Sequence, residues 1–347
     1  MKIGKRILMG STVLALASMA SSATPQATPF PLMPNVSMEP DGTLHFKDRV
    51  IPMPTLMSSE AKARYVQILT RFFALKPGNR EEMMRLMQQS AGAGAGVTPG
   101  NEAALKIYPS ARQDVEMGGV KVSVFTPKDI SARNRNRAAM MFNSVPTGIA
   151  LASVGKIKVI TVPTGTNQII AVYRELLKTH KPSQIAWVGL SGGCQAAANT
   201  AVWLPHEKLP FPGALGLLTC AGGGAPGDTR VTFNGLDAQL SDYSFQGATR
   251  TPRAERPKSQ PGEPPREILD VTTFPKGWPP SYLLAGTRDM CLSQTVVLHR
   301  RLKHAGAVTE LNIWEGMWHG FTIDPQLPET REAAADIAAF LDKHLTT

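Results

Sequence analysis

The stretch Ile185–Gln195 reads IAWVGLSGGCQ. An apolar run stops at Ser191, which is fenced by glycines, and small residues follow. A strand that turns at once into a helix leaves space only for small residues at the turn, because the two backbones pass close to each other there. That demand restricts the chain to folds in which a buried strand feeds a crossover helix, the α/β class. Two readings are open for Ser191: a nucleophile raised on a tight turn, or the N-cap of the following helix.

The surrounding pattern extends the same architecture. Val120–Thr126 alternates as a half-buried strand does. Ala138–Phe142, Ile157–Val162, Ile185–Val188, Ala214–Leu218, Tyr282–Ala285 and Leu311–Trp314 are short continuous apolar runs, expected for strands covered on both faces. Helical spacing falls between several of them, at Gln168–Thr179, Gln195–Trp203 and Ser293–Ala305, and a last helix is expected from about Arg331 to His344. The fold class is therefore α/β, a doubly wound and mostly parallel sheet. Upstream, Ser58–Leu75 and Arg80–Gln89 read as helices, and Ala91–Gly100 as a Gly/Ala linker. Residues 24–40 read as an extended, proline-rich lead-in, and 225–280 as a long surface excursion.

Lys2, Lys5 and Arg6, the apolar run Ile7–Ala17 and the small residues Ser18–Ala23 are ordered as in a secretory signal peptide. The domain reading is a signal peptide over 1–23, an N-terminal helical cap and linker over 24–105, and a catalytic domain over 106–347. A secreted or periplasmic location, with no stable membrane insertion after cleavage, follows as an expectation. Without those three basic residues the formal charge of +10 becomes +7. The remaining basic residues are scattered; the densest patch, Arg133–Arg137, reads as a solvated turn, so no nucleic-acid partner is expected. Cys194, Cys220 and Cys291 are odd in number, lack metal-ligand spacing and sit in apolar or glycine-rich sequence. They read as small hydrophobes rather than a disulfide framework, and no metal or cofactor is expected.

Two further strand ends carry reactive groups. Leu283–Asp289 (LLAGTRD) is a strand running into a turn that ends in an acid, and Trp314–Phe321 (WEGMWHGF) is a strand followed by a loop bearing a histidine. Of seven histidines, only His319 lies in a loop directly after a late strand. The order Ser191, Asp289, His319 is that of an α/β-hydrolase triad, with His319 as base and Asp289 fixing its tautomer.

On these motifs, and more softly on VYRELLKTHKPSQI, the stretch of roughly residues 105–345 resembles the esterase/lipase family of the α/β-hydrolase fold related to hormone-sensitive lipase. The resemblance implies hydrolysis of a small-molecule carboxylic ester through an acyl-enzyme, with no cofactor and with N-terminal helices capping the pocket. It implies Ser191 as nucleophile, Asp289 as orienting acid, His319 as base and the N–H of Gly192 as an oxyanion donor.

The sequence departs from that family at the second half of the oxyanion hole. The family's H-G-G-G loop follows an early strand; here Ala138–Phe142 runs into Asn143-Ser144-Val145-Pro146-Thr147-Gly148, and Pro146 has no N–H to give. A second segment, after Val162, is shortened too. Ser144, Thr147 and Gly148 are candidate replacement donors; Cys220–Gly224, although glycine-rich, reads as a turn. The alternative functional readings are a catalytically inactive hydrolase fold that binds a ligand or partner, and a decaying chain that does not fold stably.

Overall fold

The computed structural model describes residues 28–30, 33–47, 49–73, 99–220, 227–229, 236–237, 263–265, 268, 271 and 273–347. The signal-peptide reading, the helix expected at Arg80–Gln89, most of the Gly/Ala linker and most of the 225–280 excursion fall outside these residues.

The expected doubly wound sheet is present. It has eight strands: β5 (Ser110–Met117), β6 (Val120–Pro127), β7 (Ala138–Phe142), β8 (Lys158–Val162), β9 (Ile185–Leu190), β10 (Ala214–Leu218), β11 (Ser281–Gly286) and β12 (Thr309–Trp314). Their spatial order is β12-β11-β10-β9-β7-β8-β6-β5. The six strands from β12 to β8 run parallel, while β6 and β5 join antiparallel at one edge.

Both faces are covered, which explains the continuous apolar runs: consecutive strand residues point to opposite sides. On one side Met141, Ala186, Val188 and Leu284 meet helix α3 (Val145–Gly155) and α7 (Pro328–His344), through Ile149 and Phe340 among others. On the other, Met140, Trp187 and Leu283 meet α4 (Thr166–Leu176), α5 (Gly192–Trp203) and α6 (Leu292–His304). Trp187 is completely buried, edge-on to Phe142 and Tyr173 at centroid distances of 5.8 and 4.9 Å; such pairs add about 0.5–1.5 kcal/mol each beyond area burial.

Upstream of the large sheet, the lead-in at 24–40 supplies β1 (Thr28–Phe30) and β2 (Met33–Met38), which join β3 (Leu44–His45) and β4 (Val50–Ile51) in a small antiparallel sheet. Helix α1 (Ser59–Phe73) matches the expected first helix, and α2 (Pro99–Ile107) begins at the end of the expected linker. This segment is fastened beside the late loops. Ser58 N–H and Oγ donate to Glu329 at 2.9 and 3.0 Å, and the Arg288 guanidinium donates to Pro52 O at 2.6 Å while lying 4.9 Å over the Tyr65 ring. Tyr65 donates to Leu236 O at 2.5 Å, and burial pushes its phenol pKa up to about 12. Among the described residues, no helix is long and apolar enough to cross a membrane.

Cys194 and Cys220 are joined by a disulfide, which corrects the reading of all three cysteines as free hydrophobes. They are 26 positions apart, but the α5 crossover from β9 to its parallel neighbour β10 brings their Cα atoms to 5.3 Å. The spacing in sequence holds no trace of that pairing, because strand order sets it. Closing a loop of that length removes about 3–4 kcal/mol of unfolded-state entropy in the chain-entropy account.

Candidate functional site

The site lies along the C-terminal ends of the parallel strands, where open α/β sheets place their ligands. Ser191 follows β9 with φ 55° and ψ −116°, a conformation non-glycine residues seldom adopt and one that costs about 1–3 kcal/mol. Its N–H donates to Leu218 O of the neighbouring strand at 2.9 Å, which anchors the turn. The flanking glycines are required by space. A Cβ on Gly189 would lie 2.2 Å from Gly193 O, and one on Gly193 would lie 2.1 Å from Phe142 O. The strand, the turn and the first turn of α5 thus stack too closely for any side chain at either position.

Ser191 precedes α5 in the N-cap position, but its side chain makes no cap hydrogen bond. Its Oγ is instead 2.8 Å from His319 Nε2. On the other side of the ring, His319 Nδ1 is 3.0 Å from Asp289 Oδ1. A carboxylate only accepts, so Nδ1 carries a proton, and in the neutral ring Nε2 is left to accept from the Ser191 hydroxyl. The structure therefore brings together Ser191, Asp289 and His319, with Gly192 opening α5 directly beside them. The other described histidines lie elsewhere: His45 bonds Glu39 at 2.5 Å, His180 bonds Thr179 at 2.8 Å, and His206 stacks on Trp203.

Asp289 and His319 are positioned by interlocking loops. After β11, Thr287 N–H donates to Trp314 O at 2.9 Å and Arg288 N–H to Met317 O at 3.0 Å, while Gly316 N–H returns to Thr287 Oγ1 at 2.7 Å. Asp289 Oδ1 also accepts from Cys291 N–H at 2.7 Å. A second carboxylate clamps the pair: buried Asp237 accepts from Met290 N–H at 2.9 Å and from His319 N–H at 3.3 Å. Nothing in the sequence marks Asp237, which falls inside the Gly/Pro-rich excursion.

Burial works against a charged His319, whose side chain is only 6% exposed beside a fully buried Asp289. The Asp289 carboxylate, together with the neighbouring Cys291, outweighs that cost and holds the imidazole well above the ordinary histidine range. Burial pushes the Cys291 thiol up. Cys291 does come close: one ligand atom from each of Asp289, Cys291 and His319 lies within 4.8 Å of the others, the one such group among the described residues. Nδ1 of His319 and Oδ1 of Asp289 are already spent on each other, so a metal there would have to break that hydrogen bond.

The three proposed replacement donors face inward. Ser144 caps α3, with Oγ accepting from Thr147 N–H at 3.3 Å and donating to Thr147 Oγ1 at 2.7 Å. Thr147 Oγ1 donates on to Thr322 O at 3.0 Å, and Gly148 N–H donates to Ser144 O at 3.1 Å. A cleft of about 780 Å³ adjoins Gly192, lined by Thr164, Asn167, Gln195, Asn199 and Glu263 among others. Its walls combine these polar side chains with Ala196, Pro264 and Pro265.

Residues 160–323 match a family model described as the α/β hydrolase fold. No curated protein matches the sequence. Among solved structures, the esterase E25 is 24% identical with a TM-score of 0.68, over 86% of this chain and 97% of that one. An esterase from the bacterial hormone-sensitive lipase family is 20% identical (TM-score 0.63, 83% and 99% covered), and the Pyrobaculum calidifontis esterase is 18% identical (TM-score 0.61, 80% and 96%). By its sheet topology and by the family model its residues match, the chain belongs to the α/β-hydrolase fold.

Proposed function

We propose that this protein is a serine carboxylic-ester hydrolase working through an acyl-enzyme, with Ser191 as nucleophile, His319 as base and Asp289 as the acid that orients it. The observation that carries this reading is the continuous chain Ser191 Oγ–His319 Nε2, 2.8 Å, and His319 Nδ1–Asp289 Oδ1, 3.0 Å. As Ser191 Oγ bonds to the substrate carbonyl carbon, its proton passes to Nε2 and the C=O π pair moves onto oxygen. The Gly192 N–H stabilises the resulting alkoxide. Re-forming the carbonyl expels the alcohol, which takes the proton from His319; water then repeats the sequence and frees the acid. These steps need no cofactor. The cleft beside Gly192, lined by both polar and apolar residues, has room for a small ester. We further propose a secreted or periplasmic location, supported by the order of residues 1–23 and by the Cys194–Cys220 bond, which suits an oxidising compartment.

A second reading, an inactive hydrolase fold that binds a ligand, is favoured by one observation: only Asn143 and Ser144 connect β7 to α3, where the esterase family's oxyanion loop would be. Initial rates on p-nitrophenyl acetate and butyrate separate the two. The esterase reading expects turnover that Ser191→Ala abolishes. Hydrolysis unchanged in Ser191→Ala, or absent from a protein that melts cooperatively, contradicts it.

A further inference from the structure

We propose that the side-chain amide of Asn143 is the second oxyanion donor, paired with the main-chain N–H of Gly192. This inference rests on the esterase reading and names a group that reading leaves open.

Asn143 is the first residue after β7, and β7 lies directly beside the nucleophile strand, with Phe142 opposite Gly189. Its φ of 65° turns the chain sharply into the Ser144 cap of α3. Its side chain leaves the buried sheet at the edge where Ser191 stands and is exposed. There Nδ2 donates to Leu190 O, the carbonyl preceding Ser191, at 3.3 Å. Nδ2 also lies 3.8 Å from where a Cβ on Gly192 would be, and the Asn143 Cβ packs against Gly193. The amide is therefore held against the elbow, on the side where Gly192 opens α5.

An amide nitrogen carries two hydrogens, and this long hydrogen bond to Leu190 O uses one of them. The second suits an acceptor arriving at the exposed edge beside Gly192. Most other donors of the β7–α3 junction are committed elsewhere: the Ser144 and Thr147 hydroxyls and the Thr147 and Gly148 N–H groups bond within α3 or to Thr322, and Pro146 has no N–H, which leaves the main-chain N–H groups of Ser144 and Val145 as the competing candidates. Glycine would fit φ 65° at no steric cost. Asparagine tolerates it and adds an amide at that position. In the reaction, the alkoxide formed when Ser191 Oγ bonds to the carbonyl carbon accepts from Gly192 N–H and Asn143 Nδ2–H together. Both hydrogen bonds weaken again when the carbonyl re-forms and the alcohol leaves with the His319 proton.

The test is steady-state hydrolysis of p-nitrophenyl butyrate by the parent and by two variants that keep the backbone. Asn143→Gly removes the amide at a φ that glycine prefers, and Asn143→Asp keeps the shape while replacing the donor with an acceptor. Thermal melts check that both fold. The expected result is a loss of about 10²–10³ in kcat for Asn143→Gly, at least as large for Asn143→Asp, with KM within a few-fold of the parent. Both variants within threefold of an active parent would overturn the proposal and assign the role to the main-chain N–H of Ser144 or Val145. A parent without Ser191-dependent turnover would overturn the esterase reading, and this proposal with it.

Discussion

Ser191 is held by backbone strain, whereas Asp289 and His319 are held chiefly by hydrogen bonds. At the elbow, Ser191 sits at φ 55° between two glycines with no room for a Cβ, and the Cys194–Cys220 bond ties the start of α5 to the end of β10. Across the site, Asp289 and His319 stand on loops knitted by Thr287, Arg288 and Gly316 and clamped by Asp237, with one close approach of their own, at Gly286, where a Cβ would lie 1.9 Å from Met317 O. The elbow therefore depends on which atoms are absent, and the other side adds a set of hydrogen-bond partners to one such close approach. The two sides should fail differently when mutated.

The largest effect is expected where the hydrogen-bonded side touches the chemistry. Asp289→Asn keeps the shape but offers Nδ1 the wrong partner, and kcat should fall about 10⁴-fold. The same change removes the charge that raises the His319 pKa. A base must be neutral to accept a proton, so a raised pKa keeps His319 protonated to higher pH, and kcat/KM of the parent should climb as pH rises through a value well above 6.5. With the carboxylate gone, the lowering effect of burial on the ring loses its main opponent, so the residual activity of Asp289→Asn should begin at lower pH. A pH–rate profile that does not move would contradict this account of the ring.

On the strained side, Gly193→Ala places a carbon 2.1 Å from Phe142 O, with backbone on both sides of the contact. Neither strand nor helix can yield without moving Ser191. A loss of about 3 kcal/mol in stability, together with most of the activity, is expected in denaturant titration and rate assays. Unchanged stability would mean that the elbow is not the tight element described here.

Asp237→Ala sharpens the contrast from the other direction. It leaves the N–H groups of Met290 and His319 without their buried acceptor, at a cost of about 1–3 kcal/mol for each unsatisfied group. The acid and base should lose registration, lowering kcat more than it raises KM, with Asp237→Asn recovering part of the loss because its amide oxygen still accepts. Equal rates for Ala and Asn would reduce Asp237 to a packing residue.

The smallest expected effect has the opposite sign. Ser191→Gly abolishes turnover but relieves the φ 55° conformation, and should raise stability by about 1 kcal/mol. A destabilised Ser191→Gly would show that the serine hydroxyl, rather than the glycine fence, holds the turn.

Much of this geometry was legible in the sequence because strand ends carry it. Ser191, Asp289 and His319 each follow an apolar run by a few residues, and parallel strands deliver such positions to one edge. Other elements left no trace for physical reasons. β5 is mostly exposed at the sheet edge, so Ser110–Met117 lacks an apolar pattern. Helix α3 is buried nearly all along its length, so Val145–Gly155 lacks an amphipathic one, and Pro146 reads as a breaker although it lies in the first turn. The Cys194–Cys220 pair and the closeness of Asn143 to the elbow both depend on strand order, which the linear sequence does not encode. Asp237 reaches the site from the excursion, where neighbouring residues share no periodicity.

The central claim is that His319 activates Ser191 in the folded protein. Treating the purified protein with a fluorophosphonate and mapping the adduct by mass spectrometry, beside Ser191→Ala and His319→Ala, tests it most directly. The account predicts a single adduct at Ser191 that is lost in Ser191→Ala and slowed by orders of magnitude in His319→Ala. A parent that melts cooperatively yet stays unlabelled, or labelling at Ser191 that does not depend on His319, would contradict it.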